Sequence, residues 1–142
     1  MLPTSSVLIK NVQRDKDERG EILSIVDEKI ENVSIITCEK GSLRSNHYHH
    51  EDFHFMYVLE GEIDYFYQSI KSKITKYIKV KKNDTIFTPN KEIHATFFPI
   101  LTKLIVSSKN PRDQVTYEND TVRVDFINYD NLNEMLVKYA KV

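Results

Sequence analysis

Four of the five histidines of this chain lie within eight residues, and their spacing constrains the fold more than any other feature of the sequence. They are His47, His49, His50 and His54, and His94 follows forty residues later. In an extended strand, side chains two residues apart point to the same face, so His47 and His49 share a face while His50 points away. Imidazole is the commonest protein ligand of divalent transition metals. The cluster therefore predicts a strand that carries metal ligands on one face.

Two glycines frame the cluster and complete a known spacing. The pattern Gly41-x5-His47-x-His49-x4-His54-x6-Gly61 resembles the first motif of the cupin superfamily, G-x5-H-x-H-x3,4-E-x6-G. His54 stands where that motif usually has glutamate. The resemblance implies an all-β fold, a single-domain double-stranded β-helix or jelly-roll barrel.

The second cupin motif, G-x5-P-x-G-x2-H-x3-N, is matched in part between residues 83 and 98. Pro89 and His94 agree with it, whereas Asn83, Lys91 and Phe98 replace two glycines and an asparagine. Together the two motifs extend the resemblance over about residues 20–107. The resemblance implies a divalent transition metal such as zinc, iron, nickel or manganese, whose identity the sequence leaves open. The implied metal ligands are His47, His49, His54 and His94.

The remaining sequence also favours an all-β domain. Short runs rich in Val, Ile, Tyr, Phe and Thr are separated by turn residues, as in sandwiches and barrels. Between Phe53 and Leu59, His54 shares one face with Met56 and Val58, which predicts that His54 lies in the interior. A length of 142 residues suits a single domain over residues 1–142.

The last segment, about residues 131–142, departs from the strand pattern. Asn131 with Glu134 three residues later resembles a capping box at a helix start. Apolar residues then recur at helical spacing: Leu132, Met135, Leu136 and Tyr139. The sequence therefore predicts a short C-terminal helix whose apolar side packs on the barrel.

Composition argues against several classes of partner. The formal charge is −1, with 20 basic and 21 acidic residues interspersed, so the chain has no field that would attract a nucleic acid. No apolar run is long enough to span a bilayer. The single cysteine, Cys38, fits a reducing compartment, and the first residues lack the pattern of a signal peptide. These features predict a cytoplasmic protein.

Three runs carry a narrower resemblance: RGEILSIVD (residues 19–27), LRSNHYH (43–49) and PRDQVTYENDTVRV (111–124). They are similar to cupins of bacterial polysaccharide pathways, the dTDP-4-dehydrorhamnose 3,5-epimerases and dTDP-sugar 3,4-ketoisomerases. An R-G-x-H or R-G-x-H-x-H run lines the active site in those enzymes. Arg44 and His47 occupy the corresponding positions here, and Ser45 replaces the glycine. The resemblance implies a small-molecule substrate, a nucleotide sugar with a 4-keto-6-deoxy group.

The same resemblance implies roles for particular residues. In those enzymes a histidine abstracts the proton next to the sugar ketone, a tyrosine returns a proton, and basic residues hold the diphosphate, with no metal required. We therefore assign catalysis to His47 and Arg44, and substrate binding to Arg44 and Tyr57. A conflict follows, because a ring nitrogen of His47 that coordinates a metal cannot also abstract a proton.

Two other functions remain open at this point. A histidine-rich cupin site is also competent for an iron-dependent dioxygenase of small molecules. The chain could equally be a non-catalytic sugar-binding cupin, since a fold by itself ranks none of these functions. We also expect a homodimer, as the cupin resemblance implies, because Val7–Val12 and Glu62–Ile70 supply more strand edge and apolar face than one small barrel covers.

Overall fold

Two five-stranded antiparallel sheets face each other in the computed structural model, which describes residues 1–141. The first sheet has the strand order β1-β9-β6-β11-β4, the second has the order β12-β5-β10-β7-β8, and β2 and β3 form a separate ribbon. The strands are β1 Val7–Ile9, β2 Val12–Asp17, β3 Gly20–Ser24, β4 Asn32–Cys38, β5 Ser42–His49, β6 His54–Glu60, β7 Glu62–Ser69, β8 Lys76–Lys81, β9 Thr85–Thr88, β10 Glu92–Phe98, β11 Thr102–Ser108 and β12 Thr121–Arg123. The predicted all-β class is confirmed.

The core lies between the two sheets, because alternate residues of each strand point inward. On β6, His54, Met56 and Val58 are all buried, as the alternation predicts. Met56 and Val58 belong to a buried apolar cluster, whose other members include Ile63, Tyr65, Val80, Ile86, Phe98, Leu104 and Val106. The interior is therefore apolar at one end of the sandwich and lined by histidines at the other.

Two short helical segments follow the strands. Helix α1 spans Gln114–Asp120, and helix α2 spans Leu132–Met135 and continues as a π-helical turn over Leu136–Ala140. The predicted C-terminal helix is thus confirmed, and its apolar side packs on buried residues of the second sheet, among them Phe66 and Ile93. Among the described residues, no helix is long and apolar enough to cross a membrane.

The predicted capping box at Asn131 is not formed. The backbone of Asn131 is helical, at φ −102° and ψ −6°, whereas a capping residue needs an extended backbone. Its side-chain oxygen accepts the Asn128 N–H at 2.9 Å, and its amide donates to the Phe126 carbonyl at 3.1 Å. Asn131 therefore closes the turn before the helix instead of capping the helix.

Candidate active site and metal centre

The sheet pairing brings the four predicted histidines together between the sheets. His47 and His49 point inward from β5, His94 on β10 is the direct partner of His47, and His54 enters from β6 in the opposite sheet. Ring centroids are 4.6 Å apart for His47 and His49, 4.7 Å for His47 and His94, and 4.9 Å for His49 and His54. All four are buried, whereas His50 is exposed, as the alternation predicts.

A β-bulge just before the cluster sets the direction of these side chains. His94 pairs with His47 but the next residue, Ala95, pairs with Ser45, so Asn46 is an extra residue on β5. Ser45 and Asn46 both have left-handed backbones, at φ 70° and 58°. The Asn46 side chain holds the bulge by accepting the Ile127 N–H at 2.8 Å. The position of Ser45 is the one at which the related motif has glycine, which adopts this conformation without strain.

The candidate metal ligands fall into two overlapping groups. Ring nitrogens of His47, His49 and His94 lie within 4.8 Å of one another, and ligand atoms of His49, Asp52 and His54 satisfy the same limit. His49 belongs to both groups. The structure therefore does not gather the four predicted histidines into one group, and it adds Asp52, which sequence reasoning missed.

Three of the rings are anchored through Nδ1. The His49 Nδ1 lies 3.3 Å from Thr121 Oγ1, the His54 Nδ1 lies 2.8 Å from Ser108 Oγ, and the His94 Nδ1 lies 3.2 Å from the Glu92 carbonyl oxygen. A carbonyl only accepts, so the His94 Nδ1 carries the hydrogen and its Nε2 keeps a free lone pair. Histidines that bind metals are usually held in this way. The donor set thus fits a divalent transition metal.

All four imidazoles are neutral at physiological pH. Burial lowers the pKa of His47 to about 2, that of His49 to about 4 and that of His94 to about 3. The pKa of His54 is also well below its ordinary value, mainly because the ring is buried and then because of the neighbouring histidines. Lone pairs are therefore available in this cluster for a metal ion or for proton abstraction.

An open cavity leads to the cluster. Its volume is about 70 Å³, and His47, His54 and His94 line it. Tyr117 and the two arginines Arg44 and Arg112 line it as well. The cavity combines neutral imidazoles, a phenol and two permanent cations, which is a set suited to proton transfer on an anionic ligand.

Helix α1 places the tyrosine of this cavity. Asp113 caps the helix by accepting the Thr116 N–H at 3.0 Å, and Tyr117 then faces His47 at a ring-centroid distance of 6.2 Å. The Arg112 guanidinium lies over the Tyr117 ring at 4.9 Å. Sequence reasoning assigned no role to Arg112 or Tyr117, although both belong to the run at residues 111–124 that carries the narrower resemblance.

Of the two predicted substrate-binding residues, the structure brings only Arg44 to the cavity. Tyr57 lies on the face of β6 opposite His54 and Met56, and its hydroxyl donates to Asn83 Oδ1 at 2.9 Å. Tyr57 is not among the residues that line the cavity. The tyrosine placed beside the histidines is Tyr117.

The chain matches no family model and no curated protein sequence, but several solved structures share its fold. One is a mutant of the 3,4-ketoisomerase QdtA from Thermoanaerobacterium thermosaccharolyticum in complex with TDP-4-keto-6-deoxyglucose. It is 19% identical, covers 96% of this chain and 97% of that chain, and has a TM-score of 0.68. The WlaRB TDP-quinovose 3,4-ketoisomerase from Campylobacter jejuni is 17% identical over 91% of this chain and 97% of that chain, with a TM-score of 0.69.

An epimerase shares the fold as well. The dTDP-4-dehydrorhamnose 3,5-epimerase from Sulfolobus tokodaii is 14% identical, covers 93% of this chain and 82% of that chain, and has a TM-score of 0.68. These similarities confirm the cupin fold that the sequence motifs predict.

Proposed function

We propose that this protein is a sugar-nucleotide isomerase or epimerase that acts on a 4-keto-6-deoxy sugar in polysaccharide biosynthesis. The observation that carries the proposal is a single cavity lined by His47, Tyr117, Arg44 and Arg112. It supplies a base, a proton donor and two cations for a diphosphate. The complex of QdtA, a ketoisomerase of the same fold, with TDP-4-keto-6-deoxyglucose supports this substrate class.

His47 is the base in this proposal. Its neutral ring takes the proton from the carbon next to the ketone, and the electron pair of that C–H bond forms the enolate. Tyr117 then donates its hydroxyl proton to one of two carbons. Donation to the former ketone carbon moves the ketone, provided that the hydroxyl proton of the first carbon passes to the former ketone oxygen, whereas donation to the opposite face of the first carbon inverts that carbon. Because His47 and Tyr117 line the same cavity, one residue can remove a proton while the other returns one.

The arginines connect substrate binding to the strength of this base. Burial is the main cause of the low pKa of His47, the neighbouring His94 and His49 lower it next, and the positive charges of Arg123 and Arg112 lower it further. A diphosphate held by Arg44 and Arg112 at the cavity would offset the charge of Arg112. The pKa of His47 would then rise, so the ring becomes a stronger base when the anionic substrate is in place.

We also propose that the site binds a divalent transition metal, because anchored imidazoles with free nitrogens are the donors such an ion prefers. When bound, the ion supplies Lewis-acid stabilisation to a ketone or enolate oxygen. Purified without chelator, the protein should contain about one such ion per chain. His49→Ala should lose most of it, since His49 belongs to both ligand groups. Elemental analysis that finds the wild type free of metal would contradict this.

Arg44 and Arg112 are expected to hold the diphosphate. We predict that dTDP raises the melting temperature, because a ligand that binds only the folded state stabilises it. Arg44→Ala and Arg112→Ala should each weaken dTDP binding by about 10-fold or more, because each variant loses a charge-assisted hydrogen bond. Their metal content should not change. Arg19→Ala is the matched control, since Arg19 is exposed on the β2–β3 ribbon and pairs with Asp17. Equal binding by all three variants would place the diphosphate elsewhere.

We also propose a homodimer, although only one of the two segments expected at its interface, the one that contains β1, lies at a sheet edge. The strand β7 lies between β10 and β8, so the expected edge at Glu62–Ile70 is wrong. The free edges include β1 and β4, and on β4 the side chains of Val33 and Ile35 are 63% and 73% exposed. Light scattering should give twice the chain mass at micromolar concentration, and Ile35→Glu should give a monomer. Ile74→Glu, also an exposed site, is the control, and a monomeric wild type would refute the dimer.

A second candidate function has one specific observation in its favour. His49, Asp52 and His54 form a group of two histidines and one carboxylate, which is typical of non-haem iron(II) oxygenases. Consumption of O2 by the iron-loaded protein with a small organic substrate would support that function over isomerisation.

A further inference from the structure

Asp52 is a buried carboxylate that the cupin motif does not account for. It lies in the loop between β5 and β6 and is 4% exposed. Its Oδ1 accepts the Asn110 N–H at 3.0 Å, and its own N–H donates to Asp120 Oδ2 at 2.9 Å. Two chain segments distant in sequence thus hold this carboxylate in place beside the histidines.

The carboxylate of Asp52 lies beside two of the buried histidines. Within residues 1–141, its one ion-pair contact joins Asp52 Oδ2 to His54 Nε2 at 3.8 Å. One ligand atom from each of His49, Asp52 and His54 lies within 4.8 Å of the other two. Buried carboxylates in proteins are usually paired with a cation or bound to a metal ion.

The two neighbouring histidines direct Nε2 atoms at each other. The Nε2 atoms of His49 and His54 are 3.1 Å apart. Thr121 uses its hydroxyl hydrogen on the Tyr117 carbonyl at 2.6 Å, so its oxygen accepts from the His49 Nδ1–H. The Nε2 of His49 therefore presents a lone pair toward His54.

The distance between these atoms suits two ligands of one ion. The two Nε2 atoms are 3.1 Å apart. If one ion bound both at a metal–nitrogen distance of ~2.1 Å, the nitrogen–metal–nitrogen angle would be about 95°, a normal value for five- or six-coordinate ions. The alternative is a proton on the His54 Nε2, with the Ser108 hydroxyl donating to Nδ1. That arrangement satisfies both rings but leaves the carboxylate without a cation.

We propose that Asp52 completes a cation site with His49 and His54, and that His47 and His94 lie outside the ligand shell. The inference rests on the metal binding proposed above and specifies which side chains provide it. It removes the conflict over His47, because a ring outside the shell keeps its lone pair for proton abstraction. It also gives the bound ion one anionic ligand, which favours iron(II) or manganese(II) more than an all-histidine shell does.

The test compares isosteric variants in the whole protein. Asp52→Asn keeps an oxygen that can accept the Asn110 N–H but removes the charge, and His54→Gln removes a ring. Both should weaken cobalt(II) affinity, measured by chelator competition, by more than about 10-fold. His47→Gln and His94→Gln should stay within about twofold of wild type, and exposed His50→Gln is the matched control. The visible spectrum of the cobalt(II) form should change in Asp52→Asn and stay unchanged in His47→Gln, while near-ultraviolet circular dichroism verifies that each variant is folded.

The possible outcomes separate this inference from the proposed function. A wild type that binds no cobalt(II) would refute metal binding, and the inference would fall with it. A second outcome would overturn the inference but leave metal binding in place. In that outcome the wild type binds cobalt(II), Asp52→Asn keeps its cobalt(II) affinity, and His47→Gln and His94→Gln lose theirs. Loss in both Asp52→Asn and His47→Gln would overturn the claim that His47 lies outside the shell.

Discussion

His47→Gln is expected to slow the exchange of substrate hydrogen with solvent by roughly 1,000-fold. In D2O, the wild type should place deuterium on a carbon next to the ketone of a nucleotide-linked 4-keto-6-deoxy sugar, because isomerisation and epimerisation both pass through an enolate that takes up solvent protons. A positioned general base contributes about 10²–10⁴-fold to such a step, so the variant should exchange at a rate lower by roughly 1,000-fold. Mass spectrometry or proton NMR of the recovered sugar measures the rate.

Matched variants make the result specific to His47. His50→Gln removes a histidine from the same part of the chain, but its side chain is exposed, and it should exchange at the wild-type rate. Tyr117→Phe should still exchange hydrogen while forming little product, because Tyr117 acts after the proton has left the carbon. If His47→Gln exchanges at the wild-type rate, the base is another residue. If the wild type exchanges with no member of a panel of sugar nucleotides, the oxygenase or the sugar-binding function is the better explanation.

The histidine cluster could be predicted from the sequence because the geometry of a strand is local. The alternation that sends His47 and His49 to one face, and His54 inward with Met56 and Val58, depends only on residues near in the chain. Both predictions agree with the burial of these side chains. The contribution of His94 required the cupin resemblance, because no local pattern relates a residue on β10 to one on β5.

The features that sequence reasoning missed depend on contacts between distant segments. Arg112 and Tyr117 line the cavity from a segment that is distant in sequence from His47, and Asp52 is held by hydrogen bonds with Asn110 and Asp120. Tyr57 could have been excluded earlier, because the same alternation that turns His54 inward turns Tyr57 outward. The sequence pattern identifies strands but not which strands pair with each other. It therefore could not predict that β7 pairs with a strand on each side.

Gly61→Ala is expected to be the most destabilising single substitution among the glycines of the chain. Gly61 sits in the turn between β6 and β7 at φ 91°, and a Cβ there would lie 2.6 Å from the Leu101 carbonyl oxygen and 2.7 Å from the Thr102 Cα. Both are backbone atoms, so β11 would have to move. A left-handed backbone costs an alanine about 1–2 kcal/mol, and forcing packed groups apart costs about 1–3 kcal/mol more. We expect a loss of about 3 kcal/mol in the free energy of unfolding.

Gly41→Ala separates these two costs. Gly41, at the other end of the same motif, has nearly the same backbone, at φ 84°, but a Cβ there meets no atom within 4 Å. Its substitution should therefore cost only the conformational part, about 1 kcal/mol, in urea unfolding. Equal losses at the two positions would contradict the close approach of Leu101 and Thr102. A larger loss at Gly61 would mean that Gly61 is needed because β11 lies close to the turn. Gly41 would then be needed only for its left-handed backbone conformation.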